Sequence, residues 1–574
     1  MSERFNYLQF LYGAAAATEI NGRLQTLLNE YKPQLPPPAD YTLSEQDSIL
    51  ITYGDMVQQP DERPLATLNR FLQEAIKGHI STVHLLPFYP FTSDDGFSVV
   101  DYKAVNPELG NWDDIAALSN HFDLMFDAVV NHISAKSSWF QAFLQDQEPY
   151  TDYFTVVDPT ADLSAVFRPR ALPLLTPFET PSGIKHVWTT FSDDQIDLNY
   201  ANPAVLLEVI DVLLDYVAKG ARFIRLDAIG FMWKEIGTSC IHLPQTHAAI
   251  QLMRTILDEV APQVALITET NVPHQDNISY FGDGTNEAQM VYNFSLPPLT
   301  LHAFHTGSAA VLSKWAATLE LPSDKVTFFN FLASHDGIGL TPARGILEPA
   351  EIEAMAARVE ALNGRVSYKT NSDGSQSAYE LNINYLAALG NPEKEETNEQ
   401  RARRFLCAQA LMLALRGVPG IYFHSLFGSD SWLEGVQLTG RNRTINREKL
   451  NYERLSAELA DPDSLRHHVF YPYLQLLDQR SKQAAFHPNG RQIVLPVHDA
   501  LFTVLRQDRA ETSAVLCLHN VSDTAQTAVL DLTPYGFAEA TFHPLLTDQP
   551  TLTPDNGRLT ITIQPYEVIW LKAN

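Results

Sequence analysis

Four short segments of the chain set acidic, basic and imidazole side chains into apolar, β-branched runs: DAVVNH (127–132), FIRLDA (223–228), ITET (267–270) and SHD (334–336). They supply Asp127, His132, Arg225, Asp227, Glu269, His335 and Asp336. Ionisable groups within apolar strands cost stability unless they are paired or used. Here they fall at the same end of successive runs, which favours use. Arg225 precedes Asp227 by two residues, so on a strand the two share a face. The cation is therefore expected to keep Asp227 ionised and aimed as a nucleophile. Glu269, buried near Asp227 and Asp336, is expected to hold a proton at rest, because burial and like charge both disfavour its ionised form. Three convergent carboxylates suit cleavage of a glycosidic bond with retention: one attacks the anomeric carbon, one shuttles the proton, and one grips the distorted ring. His132, His335, Asp127 and Asp336 follow no compact metal-binding spacing, and no nicotinamide, phosphate-loop or pyridoxal-type motif is evident. No metal and no cofactor are expected.

Such residues need a frame that brings strand ends together. Eight runs read as strands: 48–54, 82–89, 124–132, 223–228, 265–270, 289–294, 326–336 and 417–423. Most are followed by a helix-like stretch. VLLEVIDVLLDYVAKG (205–220), for example, has apolar residues at helical spacing and a glycine stop. Eight strand–helix repeats predict an α/β fold, a (β/α)8 TIM barrel with its active site at the C-terminal strand ends. The barrel is expected over residues 47–486. Loop subdomains are inserted after strands 3 (133–200) and 7 (340–395), since loops this long are usually functional. Residues 1–46 read as a helical extension ending in KPQLPPPAD. From 487 to 574, short β runs between turns predict a C-terminal antiparallel β domain.

Bulk properties narrow the function classes. Lys and Arg number 40 against 68 Asp and Glu, a net charge of −28 that argues against a nucleic-acid partner. Any anionic substrate would then need local positive charge set against the global field. The three cysteines are scattered with no CxxC pattern, which suits a reducing compartment. No basic n-region precedes a clean apolar stretch, and no run of about 18 apolar residues occurs, so neither a signal peptide nor a membrane partner is expected. A cytoplasmic enzyme is expected; oligomeric state is not legible.

The four segments, in this order, resemble the signature regions of the α-amylase family, glycoside hydrolase family 13. ITYGD, LLPFYP, SDDGFSVVDY, LGNWDDI, RPRALP, GTSCI, LPPLTLHA, SHDGIGL and TINR resemble its sucrose phosphorylase branch, from about residue 48 to 485. The resemblance implies double displacement through a glucosyl–Asp227 intermediate, released by phosphate as α-glucose 1-phosphate. It implies Asp336 as transition-state stabiliser, and Asp94, His132, His335 and Arg443 around the far side of the glucose. It further implies Phe97 as the aromatic platform, with Arg170 and Tyr379 contacting phosphate or the leaving sugar.

The acceptor side departs from sucrose phosphorylases. Phe231 stands where a tyrosine is usual, and the loop YKTNSDGSQSAYELNINY offers Ser377 and Glu380 near Tyr379. This pattern is similar to phosphorylases acting on 2-O-α-glucosyl-D-glycerate. Glycerate carries a carboxylate, which needs a cation or several donors. Lys369, Arg170, Ser377 and Asn271 are candidates, with Lys234 a further one. The expected small-molecule partners are an α-glucoside, inorganic phosphate, glucose 1-phosphate and D-glycerate. Phosphorylases for glucosylglycerol or sucrose, a retaining hydrolase and a transglucosidase would share the same carboxylates.

Overall fold

The computed structural model describes residues 3–170, 172–370 and 375–574. The stretch 371–374 of the acceptor loop lies outside the described residues. Eight parallel strands close into a barrel, in the positions expected: β1 (Ile49–Thr52), β2 (Thr82–Leu85), β3 (Asp123–Ala128), β4 (Ala221–Leu226), β5 (Ala265–Thr268), β6 (Met290–Tyr292), β7 (Thr327–Asn330) and β8 (Val418–Tyr422). Each pairs with its sequence neighbours, and β8 returns to β1. Their side chains are almost all buried, as strands covered by helices outside and packed side chains inside must be.

All eight strands end before the apolar runs do, and at two of them this moves histidines of the site well beyond the barrel ladder. β3 stops at Ala128, and His132–Ser134 instead pairs antiparallel with Gln195–Asp197. β7 stops at Asn330, leaving His335 and Asp336 in the loop beyond. The runs stay apolar there because the loops are buried under the inserted segments, not because the ladder continues. Backbone bonding does carry one step past β4 and β5: Asp227 donates to the Ala128 carbonyl and Glu269 to that of Leu226. Both carboxylates are thus fixed at the rim.

The segment after β3 folds a helix (Ser138–Leu144) and a hairpin (Leu175–Thr180 with Gly183–Trp188). The segment after β7 folds a helix (Pro349–Ala361) and a second hairpin (Arg365–Thr370 with Gln376–Asn382). The N-terminal helix Glu3–Tyr31, broken at Gly13, buries Leu8, Ile20, Leu24 and Leu28 against the barrel helices Pro203–Ala218 and Pro244–Val260. The chain ends in a five-stranded antiparallel sheet and a separate two-stranded one, with an apolar cluster of their own. Among the described residues no helix is long and apolar enough to cross a membrane.

Candidate active site

A pocket opens at the C-terminal ends of the barrel strands. Of the residues singled out in the sequence, Asp94, Phe97, His132, Arg170, Asp227, Glu269, His335, Asp336, Lys369, Tyr379, Glu380 and Arg443 line it, as does Asn271. Arg225 lies beneath the floor, and Ser377 stands outside the lining.

The floor is one charged network. Arg225 Nη1 donates to Asp227 Oδ1 at 2.8 Å and also to Asp127, its register neighbour on β3. Asp127 in turn binds His84 Nε2 at 2.7 Å. Glu269 is more loosely held, with Arg225 Nη2 at 3.9 Å and the Ala228 amide at 3.1 Å. Burial raises both Asp227 and Glu269 above the usual carboxylate range, Arg225 opposes it, and neighbouring carboxylates push further up. At Asp227 burial outweighs the arginine, which is shared with Asp127, so the pair as a whole is pushed towards holding a proton. The two carboxyls therefore titrate as a pair.

One wall is the segment Ser93–Phe97. Asp94 and Asp95 both have left-handed backbone, φ 54° and 50°, and Gly96 follows at 113°. A Cβ on Gly96 would sit 2.7 Å from the Pro87 carbonyl oxygen, so only glycine fits. This turn delivers Phe97 to stack on His335, with centroids 4.8 Å apart and planes within 5°. His335 is buried there, which drives its pKa down to about 3. His132 Nε2 lies 2.8 Å from the Phe97 carbonyl, and burial lowers its pKa too.

The opposite wall joins two arginines to one carboxylate. Arg443 approaches Asp336 Oδ1 at 2.6 Å and grips Glu380 through Nε and Nη2 at 3.1 and 2.6 Å. Arg447 donates to the His335 carbonyl at 2.7 Å, reaches Asp336 at 3.4 Å and binds Asp95. Although burial opposes ionisation, Arg443, His335 and Arg447 hold Asp336 far below its ordinary range.

The segment 77–338 matches the alpha-amylase catalytic domain. A glucosylglycerate phosphorylase of Spirochaeta thermophila is 51% identical over 98% of this chain and 97% of its own. A protein of the same name from Allomeiothermus silvanus is 53% identical over 91% of this chain and 92% of its own. The chain belongs to the alpha-amylase family. The crystal structure of sucrose 6F-phosphate phosphorylase from Thermoanaerobacter thermosaccharolyticum superposes with a TM-score of 0.72 over 84% of this chain and 95% of that one. At 23% identity this is a likeness of fold.

Family motifs alone do not set the mouth of the pocket. In the hairpin after β7, Ser367 pairs with Glu380 but Tyr368 with Ala378, leaving Tyr379 as an extra residue. This bulge breaks the two-residue alternation, so that Tyr379 and Glu380, adjacent in sequence, both line the pocket. Arg170 lies 3.5 Å from Asp94 and over the Phe191 ring. Lys234 is removed from the acceptor side: its ammonium is buried on Asp197 at 2.6 Å and Asn131 at 3.2 Å. Phe167, Phe191 and Phe231 pack together as an apolar side.

Three contributors were not singled out from sequence. Gln195 bridges Asp94, at 3.3 Å, and the Phe97 carbonyl, at 3.1 Å. Arg168 lines the pocket beside Arg170. Arg447 braces Asp336. The last two lie inside RPRALP and TINR, where the repeated arginines were the available signal; Gln195 gave none beyond its place in FSDDQIDLNY.

Proposed function

We propose that the protein is a retaining glycoside phosphorylase that cleaves 2-O-α-D-glucosyl-D-glycerate with inorganic phosphate, giving α-D-glucose 1-phosphate and D-glycerate. The observation that carries the reading is the likeness, over 98% of the chain, to a glucosylglycerate phosphorylase. The pocket agrees with it: cations line the mouth of a site in a chain of net charge −28.

Asp227 attacks the anomeric carbon while Glu269 gives its proton to the leaving oxygen of glycerate. The C1–O bond breaks, and a β-glucosyl ester forms on Asp227. A phosphate oxygen then attacks C1 from the other face, returns a proton to Glu269 and expels the Asp227 carboxylate. Of the coupled pair, Glu269 holds the resting proton, because Asp227 accepts the direct arginine hydrogen bond and Glu269 does not. Asp336, kept ionised by Arg443 and Arg447, grips ring hydroxyls and offsets developing positive charge. Asp94 and Arg443 hold the far end of the glucose, Phe97 lies beneath it, and His132 and His335 flank it. Arg170 and Tyr379 face the acceptor and phosphate. Cys240, Cys407 and Cys517 are free and buried, in keeping with a reducing cytoplasm.

The test offers α-glucose 1-phosphate with D-glycerate, glycerol, fructose or water in turn and follows phosphate release. Release with glycerate alone supports the reading. Release led by glycerol or fructose replaces the substrate, and release with water alone replaces the reaction by hydrolysis.

A further inference from the structure

Four cationic side chains line the pocket: two are neutralised by a protein carboxylate, Arg168 is turned to the Leu172 carbonyl, and the fourth is Lys369. Arg170 faces Asp94, and Arg443 faces Asp336 and Glu380. Lys369 lines the same pocket, half-buried, with no carboxylate at ion-pair distance among the described residues. Burial, and then the neighbouring guanidinium of Arg344, draws its pKa below the usual lysine range. A partly desolvated ammonium beside a second cation is stabilised by an arriving anion.

Its position is also determined. Lys369 lies on the hairpin strand Arg365–Thr370, whose partner strand carries Tyr379 and Glu380. Glu380 is pinned by Arg443, which holds Asp336. Hairpin pairing thus ties the lysine, through Glu380 and Arg443, to Asp336 of the pocket wall.

We infer that Lys369 binds the carboxylate of the acceptor and selects an anionic three-carbon hydroxy acid over a neutral polyol of the same size. This rests on the phosphorylase reading above. D-glycerate and glycerol differ at one carbon, a carboxylate against a hydroxymethyl, so discrimination between them is discrimination by charge. One charge-assisted hydrogen bond in a partly dry site supports a ratio of about 10- to 100-fold.

The test compares the full-length wild type with Lys369→Met and Lys369→Arg. The rate of phosphate release from α-glucose 1-phosphate is measured with D-glycerate and with glycerol, and the KM for inorganic phosphate is measured in the cleavage direction. In Lys369→Met the ratio of kcat/KM for glycerate to that for glycerol falls by about tenfold or more, chiefly through the KM for glycerate. Lys369→Arg restores most of the ratio. Equal losses with both acceptors would overturn the assignment in favour of a structural role. A KM for phosphate rising by the same factor as that for glycerate would overturn it in favour of a phosphate site. A wild type active with glycerol but not glycerate would refute the underlying reading as well, whereas an unchanged ratio in Lys369→Met with a glycerate-active wild type would refute this inference alone.

Discussion

Arg225 donates from a single guanidinium nitrogen to both Asp227 and Asp127, and so joins the rim of β4 to the interior of β3. The arrangement orients Asp227 but divides the charge that would keep it ionised. Burial therefore prevails, and the Asp227–Glu269 pair retains a proton that two exposed carboxyls would lose.

One consequence concerns the nucleophile. Asp227→Asn is expected to lower kcat by about 10⁴-fold or more while leaving the circular dichroism spectrum unchanged. It should also stabilise the protein at neutral pH. A carboxyl whose folded pKa lies above its unfolded one contributes stability below the unfolded value, and that contribution is lost as pH rises through the folded pKa. The neutral amide escapes that loss, so Tm should rise by about 1–3 °C at pH 7. A lower Tm would contradict a raised pKa at Asp227.

The pH–rate profile of kcat/KM should be bell-shaped, with both limbs belonging to the Asp227–Glu269 pair. The alkaline limb is loss of the Glu269 proton, so Glu269→Gln should abolish that limb in whatever activity remains. Asp336, held far below its usual range, should add no acid limb above about pH 4. An alkaline limb persisting in Glu269→Gln would assign the proton elsewhere.

His84 does not line the pocket but binds Asp127, and through it Arg225. It is a positioning residue. His84→Gln should lower kcat about tenfold, one hydrogen bond's worth, with little change in KM and with a displaced acid limb. A loss confined to KM, or to stability, would remove His84 from this chain of contacts.

Gly96→Ala tests the Asp94–Phe97 wall. The added methyl meets the Pro87 carbonyl at 2.7 Å and must adopt a left-handed backbone at φ 113°. The turn should shift, and the KM for the glucoside should rise by about tenfold or more, since a small displacement of a positioning group is costly. Wild-type kinetics would show that Asp94 and Phe97 do not depend on this turn.

Some of this site is legible in the chain alone, and the reason is local. Asp227 and Glu269 each follow an apolar strand by one residue, and Arg225 shares a face with Asp227 by strand periodicity. Barrel closure then brings those ends together. The mouth is different. That Tyr379 and Glu380 both face inward depends on a bulge opposite Ser367 and Tyr368, and the capture of Glu380 by Arg443 joins residues 63 positions apart. Lys234 resembles Lys369 in sequence, yet only tertiary packing gives it Asp197 as a buried partner. The apolar runs overshoot the ends of β3 and β7 for a related reason: hydrophobicity reports burial, whereas a strand ends where its hydrogen-bonding neighbour does.

The decisive experiment incubates the protein with 2-O-α-D-glucosyl-D-glycerate and inorganic phosphate and follows the products by ³¹P and ¹H NMR. α-D-Glucose 1-phosphate and D-glycerate should appear in equal amounts from the first turnovers. Formation of the β-anomer, free glucose without a sugar phosphate, or no cleavage of this glucoside would contradict a retaining glucosylglycerate phosphorylase.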